Sequence, residues 1–354
     1  MRVLHLAAGN RWTGAAAPAF AEVEALRAAG VDAHYAYVGG YKLETKLTAV
    51  EFAHPLIEKA QNPVAARRTI RALLSLGSFD IVHAHLTYDH VLGAMLARRI
   101  KARLARTYHS ERVLRRDPFS LLMQRRTPLR FVVNETFFLP GATFTPPPVD
   151  HRQFTPDGED VRARYGIDPN APLAVSIGKL THDRGFELAL QSFAVVRRTL
   201  PSARMMVIGH GPHQNTLEVL AHALGLDVIF AGYHEDDLAE HYRAADALLF
   251  TARGSDEGHR AILEAMACGV VPVSAPIPGV NALVRGLETP LIAVAPTPEA
   301  IAARATPILA ARQTLRKAAV RQSQQFGYEP AAERLINAYE QAYEQAYEAR
   351  PAQD

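Results

Sequence analysis

Short apolar runs alternate with longer stretches of helical periodicity over nearly the whole chain. In the first half, residues 2–8, 31–38, 79–85, 103–109 and 131–134 read as buried strands. Each run is too short for a helix and is bounded by turn or polar residues. Residues 15–29, 64–76 and 90–99 read as helices between them, the first amphipathic, with Gly30 and Gly77 as stops. Residues 40–60 show neither period and are expected to be irregular. Thr145-Pro146-Pro147-Pro148 cannot continue a helix or a central strand, and so marks a linker. After it the alternation restarts. Strands are expected at 173–178, 203–208, 228–231, 247–250, 270–273 and 291–294. Helices are expected at 186–200, 214–224, 236–245, 261–267 and 298–326. A last helix carries Tyr339, Tyr343 and Tyr347 at a period of four, a stripe on one face. The alternation predicts an α/β protein with parallel sheets. A length of 354 residues admits two such domains, expected at 1–147 and 148–330.

Residues 246–272 carry the densest candidate chemistry. A strand at 247–250 leads into the polar loop Arg253-Gly254-Ser255-Asp256-Glu257-Gly258. A helix follows and is stopped by Gly269 and Pro272. The loop therefore lies at the carboxyl edge of a sheet, where open α/β sheets bind ligands. Glu264 lies eight residues after Asp256, about two helical turns on. The amides near Gly258, His259 and Arg260 are unpaired donors at the positive end of the helix, suited to a phosphate or a hydroxyl-rich ligand.

Four other loops share that character. Gly9…Gly14 follows the first strand but lacks the Gly-x-Gly-x-x-Gly pattern, so a nicotinamide cofactor is weakly supported. Gly178-Lys179-Leu180 and Arg184-Gly185 place two cations between a strand end and a helix start, where a phosphate is readily held. Gly209-His210-Gly211-Pro212 and Gly232-Tyr233 follow later strands. His83, His85 and His109 end two strands of the first half. A histidine there is either a packed group or an acid-base group.

Charge narrows the partners. The net charge is +3, but residues 1–150 hold 20 Lys and Arg against 12 Asp and Glu, an excess of +8. The first half is therefore expected to meet something anionic. Residues 112–130 are rich in arginine with Leu114, Phe119, Leu121, Leu122 and Met123 interleaved. They read as an interfacial helix for an anionic membrane surface, or as a grip on a phosphorylated acceptor. Their aromatics form no stacking series, which argues against nucleic acid. No run approaches the ~20 apolar residues of a membrane span. Met1 leads straight into a strand without the pattern of a signal peptide. Cys268, the single cysteine, excludes an internal disulfide and fits a reducing cytosol; between Ala267 and Gly269 it reads as packing.

These motifs resemble the GT-B fold retaining glycosyltransferases, above all glycosyltransferase family 4. The family carries an acid, seven residues, then Glu-Ala-Met-Ala-x-Gly with Pro-Val after it; here these are Asp256, then Glu264 to Gly269 and Pro272-Val273. The family's first acid is usually Glu before Gly-Phe-Gly, so Asp256 or Glu257 stands for it. Asp80-Ile81-Val82-His83-Ala84-His85 and Val149-Asp150…Phe154-Thr155-Pro156 match other family segments. The resemblance covers nearly the whole chain and is strongest at 173–275.

The resemblance implies two Rossmann-like domains facing each other across a central cleft, with helix 331–354 returning to the first. It implies that Lys179 and Arg184, in swapped order, hold the donor diphosphate. Glu264 would fix the ribose, and Asp256 or Glu257 the sugar. Gly14, Gly178, Gly209, Gly232, Tyr233, Gly258, His259 and Arg260 would border the donor. His109 would line the acceptor side. The expected reaction is transfer of a hexose (class EC 2.4) from a UDP-, GDP- or ADP-sugar to a glycan, lipid-linked or small-molecule acceptor, with retention. No metal is expected to be required, and no Asp-x-Asp motif is present. Polysaccharide, lipopolysaccharide or glycolipid synthesis at the inner membrane face, in the cytoplasm, would suit the basic first half. A nucleotide-sugar epimerase, a sugar phosphorylase and a non-catalytic nucleotide-sugar-binding relative stay open.

Overall fold

In the first unit, Met1–Pro148 with Tyr328–Asp354, the apolar runs of the sequence become a parallel sheet. The computed structural model describes residues 1–9, 12, 14–114, 117–252, 259–287, 289–312 and 314–348, with backbone alone at 42 and 343–348. The elements run β1 (Arg2–Ala7), α1 (Ala16–Ala28), β2 (Asp32–Val38), α2 (Lys42–Leu47), β3 (Ala53–Ile57), α3 (Pro63–Leu74), β4 (Ile81–Ala84), α4 (Thr87–Ile100), β5 (Arg103–Tyr108), α5 (Pro118–Arg125), β6 (Leu129–Val132) and β7 (Thr143–Phe144). Their order in the sheet is β3-β2-β1-β4-β5-β6-β7. Strand β1 is buried on both faces from Val3 to Ala7. Val3 packs with Val23, Tyr35 and Phe131 on one side, and Leu4 packs with Val82, Leu92 and Leu104 on the other. A strand covered by helices on both faces needs a continuous apolar run, which is why no alternation is seen.

Several expectations are corrected. Residues 40–60 are not irregular; they hold α2 and β3. Pro55 breaks the strand pattern there, and is tolerated because β3 is the sheet edge. Helix α1 is not amphipathic. Its alanines, with Phe20, Val23 and Leu26, are buried around most of the helix, because it packs against the strands and against a second helix described below.

The second unit, Val149–Gly327, restarts with β8 (Leu173–Ile177), α6 (Phe186–Thr199), β9 (Arg204–Ile208), α7 (Gln214–Ala223), β10 (Val228–Gly232), α8 (Leu238–Ala244), β11 (Ala247–Phe250), α9 (Arg260–Ala267), β12 (Val271–Ser274), α10 (Val280–Val284), α11 (Pro298–Ala311) and α12 (Arg316–Gln324). The parallel order is β10-β9-β8-β11-β12. The strand expected at 291–294 is only a single bridge, Ser274 to Ile292. The helical stretch 298–326 is two helices, parted where Arg312 takes a left-handed φ of 44°.

The chain enters and leaves this unit at neighbouring points, since Val149 bridges to Gly327 and its amide donates to Phe326 O at 2.8 Å. The last helix, α13 (Tyr328–Glu348), then packs on α1. Tyr339 is fully buried and bonds His83 Nδ1 at 2.6 Å, while Ala331 and Ala332 meet Ala25. This is the first part of the tyrosine stripe; the side chains of Tyr343 and Tyr347 lie outside the described residues. Among the described residues, no helix is long and apolar enough to cross a membrane.

Candidate functional site

In the second sheet, strand order reverses between β8 and β11. The chain steps outward from β8 through β9 to β10, then returns to the far side of β8. Parallel strands bring all their following loops to one edge, and a crevice opens where the order reverses. Three glycines let those loops interlock. A Cβ on Gly185 would lie 1.9 Å from Thr251 O, one on Gly209 1.9 Å from Gly178 O, and one on Gly211 2.2 Å from Leu180 O. Thr251 Oγ1 donates to Gly185 O at 2.8 Å and pins the β8 loop to the end of β11. Gly178 and Gly209 also take φ values of 146° and 139°, which side chains rarely adopt. Only the absence of side chains allows backbone amides to gather this closely.

Lys179 and Arg184 stand in the β8–α6 connection, Lys179 exposed and Arg184 half-buried. A short 3-10 turn, His182–Arg184, leads into α6, whose N-cap Gly185 lies in the left-handed region. Glu187, in the first turn of α6, holds this connection. Its Oε1 meets His182 Nδ1 at 2.8 Å and His213 Nε2 at 2.7 Å. Burial opposes ionisation there, but hydrogen bonds from its own amide, His213 and His182 hold the carboxyl below its ordinary range. The sequence reading missed Glu187 and Thr251. An acid just after a cation-bearing loop was the only signal for the first, and nothing in the chain pattern pointed to the second.

Helix α9 follows β11 on the other side of the reversal. Its N-cap, His259, takes a φ of 48° and donates Nε2–H to Pro278 O at 2.9 Å. Glu264 is 5% exposed. Its Oε1 accepts from Arg260 Nε at 2.5 Å, and its Oε2 accepts from Tyr242 OH at 3.4 Å. A carboxylate so placed is fixed in direction by Arg260 and Tyr242 and is a good acceptor for ligand hydroxyls. Gly232 ends β10 at φ 84° with nothing crowding it, and Tyr233 beside it is 66% exposed. Burial and a hydrogen bond to Glu235 push its phenol up to about 12, so it stays a neutral donor. Cys268 is buried and pushed up to about 12 by burial, as a packing thiol should be. Asp256, Glu257 and Gly258 lie outside the described residues.

His109 belongs to the first unit, at the end of β5, and is 6% exposed. Its Nε2 shares a 3.0 Å hydrogen bond with His85 Nδ1. Burial, aided by Arg106, pushes it down to about 3, so it is a neutral imidazole at physiological pH. His83 and His85 are packed inside the sheet and do not form an exposed acid-base pair. The first sheet reverses between β1 and β4, and Asp89 spans that point by accepting from the amides of Ala8 and Leu86, both at 2.7 Å. Gly14 takes a φ of 60° with open space beside it. The basic stretch forms a short 3-10 turn and α5; Phe119, Leu121 and Leu122 are exposed there at 61%, 39% and 43%. Arg115 and Arg116 lie outside the described residues.

Known proteins share this architecture. Residues 157–326 match the model of glycosyl transferases group 1. A D-inositol 3-phosphate glycosyltransferase of Geodermatophilus obscurus is 32% identical over 209 residues, 55% of this chain and 46% of that protein. A GDP-mannose-dependent alpha-(1-6)-phosphatidylinositol monomannoside mannosyltransferase of Mycolicibacterium smegmatis is 29% identical over 252 residues, 62% of this chain and 64% of that protein. The chain thus spans about half to two thirds of the length of these relatives. Among solved structures, Anabaena HepE in complex with UDP superposes with a TM-score of 0.79 at 17% identity, covering 96% of this chain and 100% of that one. That likeness shows the fold alone, which is GT-B. Residues 157–326 are thus similar to the glycosyl transferases group 1, and the two parallel sheets of seven and five strands have the GT-B fold.

Proposed function

We propose that this chain moves a hexose from a nucleoside-diphosphate sugar to an acceptor hydroxyl, with retention of configuration. The observation that carries the reading is the glycine-lined reversal between β8 and β11, flanked by Lys179 and Arg184 on one side and Glu264 on the other. The leaving diphosphate needs positive charge that is in place before the bond breaks. Lys179, Arg184 and the amides at the start of α9 supply it. Glu264, aimed by Arg260 and Tyr242, accepts from the ribose hydroxyls. Asp256 or Glu257 fixes the sugar. Gly14, Gly178, Gly209, Gly232, Tyr233, Gly258, His259 and Arg260 border the donor. The departing phosphate itself takes the acceptor proton, and His109 orients the acceptor as a neutral imidazole. No metal is needed for transfer on this reading.

The acceptor is an anionic or lipid-linked molecule. Two observations support this: the +8 excess of residues 1–150, and relatives whose names specify inositol 3-phosphate and phosphatidylinositol mannoside. The exposed apolar side chains of α5, beside Arg125 and Arg126, suit contact with an anionic membrane on the cytoplasmic side.

The test is a thermal-shift screen against UDP, GDP, ADP, CMP, TDP and NAD. Ligand at 100 times its dissociation constant stabilises by about 2.7 kcal/mol. A shift with one nucleoside diphosphate names the donor base. A shift with NAD alone, or with none, overturns the reading.

A further inference from the structure

The first unit hides a group of side chains that the transfer reaction does not use. His5 from β1, Glu22 from α1, and His83 and His85 from β4 meet at the reversal between β1 and β4, all of them buried. Glu22 is the odd member. Its side chain is 1% exposed, and neither carboxylate oxygen has a hydrogen-bond partner. His5 Nε2 has none either. An acid in that position normally costs several kcal/mol unless something compensates it. Arg334 on α13 is the cation that faces it, without a hydrogen bond to either oxygen.

We propose that His5, Glu22 and His85 bind a divalent transition-metal ion, zinc by preference, as a structural clamp on the first sheet. The geometry argues for it directly. His5 Nδ1, His85 Nε2 and Glu22 Oε2 form a triangle with sides of 2.9, 3.7 and 3.8 Å. The point equidistant from these three atoms lies about 2.0 Å from each, the bond length of zinc to imidazole nitrogen and carboxylate oxygen. Glu22 Oε1 is available as a further donor, and two imidazoles with a carboxylate suit zinc over calcium or magnesium. The ring nitrogens of His83 are engaged with Tyr339 OH at 2.6 Å and Thr107 Oγ1 at 2.8 Å, so His83 packs beside the ion.

The surroundings of His85 fit a metal ligand. A ligating histidine usually donates its other ring N–H to a fixed acceptor. With Nε2 on the ion, His85 donates Nδ1–H to His109 Nε2, the 3.0 Å bond already described. His109 then carries its own proton on Nδ1. The clamp joins β1, α1 and β4, and sets the tautomer of the residue at the end of β5. None of its three ligands takes part in the transfer chemistry, which the clamp touches only through the His109 tautomer.

The decisive experiment uses the full chain, purified without a metal-affinity tag. Metal analysis should find about one zinc per chain. Chelated protein titrated with cobalt(II) should develop a visible band that saturates at one equivalent, with a rise in melting temperature. Glu22→Gln, nearly the same shape, should weaken the cobalt affinity by more than about 100-fold, beyond the loss from a partner that only orients a ligand. Two more exposed groups, His182 with Glu187 and His213, and His234 with Asp237 and His241, are the competing sites. Anomalous diffraction at the zinc edge on wild-type crystals separates them without any variant: a peak between His5, Glu22 and His85 is required. No uptake by the wild type, uptake unchanged in Glu22→Gln, or a peak only at the other groups overturns the proposal.

Discussion

Gly185 and Thr251 touch backbone to backbone: a methyl group on Gly185 would lie 1.9 Å from the Thr251 carbonyl oxygen. Gly185 also sits at φ 67°, and the Thr251 hydroxyl donates to its carbonyl. Gly185→Ala should therefore force the two loops apart and destabilise the protein by about 2 kcal/mol or more. Gly232→Ala is the comparison. It has a similar φ of 84° but open space beside it, so it should cost only about 1–2 kcal/mol. Urea midpoints measure both. An equal loss in the two variants would mean that the close approach is unimportant.

Glu264→Gln should leave the fold intact and raise the dissociation constant of the preferred nucleoside diphosphate. Hydrogen bonds to a charged group contribute about 1.5–3 kcal/mol, or roughly 10–100-fold in affinity. Calorimetric titration gives the answer, and an unchanged constant would remove Glu264 from the ribose role.

Replacing Lys179 and Arg184 together by alanine should weaken the diphosphate by about 100-fold or more, since each makes a charge-assisted contact on this reading. Binding of the free nucleoside, which lacks phosphate, should change little. If both ligands weaken alike, the substitutions have damaged the loop and not a phosphate grip.

His90 should make stability depend on acid. It is buried, bonded to Thr127 Oγ1 at 2.7 Å and beside Arg106. Burial, then Arg106, pushes it down from 6.5 to about 3. The folded state thus binds fewer protons than the unfolded state between those values, so stability is full above about pH 6.5 and falls as pH drops toward 3. His90→Gln should flatten the slope by up to about 1.4 kcal/mol per pH unit in that window. Urea denaturation at pH 4, 5, 6 and 7 would show it. An unchanged slope would mean that His90 is protonated in the folded protein.

Phe119→Glu should reduce sedimentation with vesicles containing anionic lipid while leaving nucleotide-induced thermal shifts unchanged. The 61% exposed ring stands at the start of α5, whose N-terminus is capped by Asp117 and set by Pro118. Wild-type protein that ignores such vesicles would remove the membrane from the proposal.

Most of what could be read from the chain was local. The apolar runs of β1, β4, β8 and β11 already specify buried parallel strands, because such strands need apolar side chains on both faces. Gly178-Lys179 and Arg184-Gly185 marked the connection between β8 and α6, and Glu264 to Gly269 marked α9 and its stop. The sheet order, with the reversals at β1/β4 and β8/β11, was not legible, since it depends on which strands pair across 60 residues or more. Edge strand β3 was hidden by Pro55, and α1, which read as amphipathic, is instead covered on two sides.

The sequence by itself determined the α/β class, the glycines that keep side chains out of the loops, and the types of charge around them. Those properties follow from local backbone freedom and from side-chain chemistry. Only the tertiary structure decided that Thr251 would lock Gly185, that Glu187 would tie two histidines to the cation loop, and that His5, Glu22 and His85 would meet in the core. Each of these joins residues from separate elements, and no spacing along the chain encodes a distance across a folded sheet.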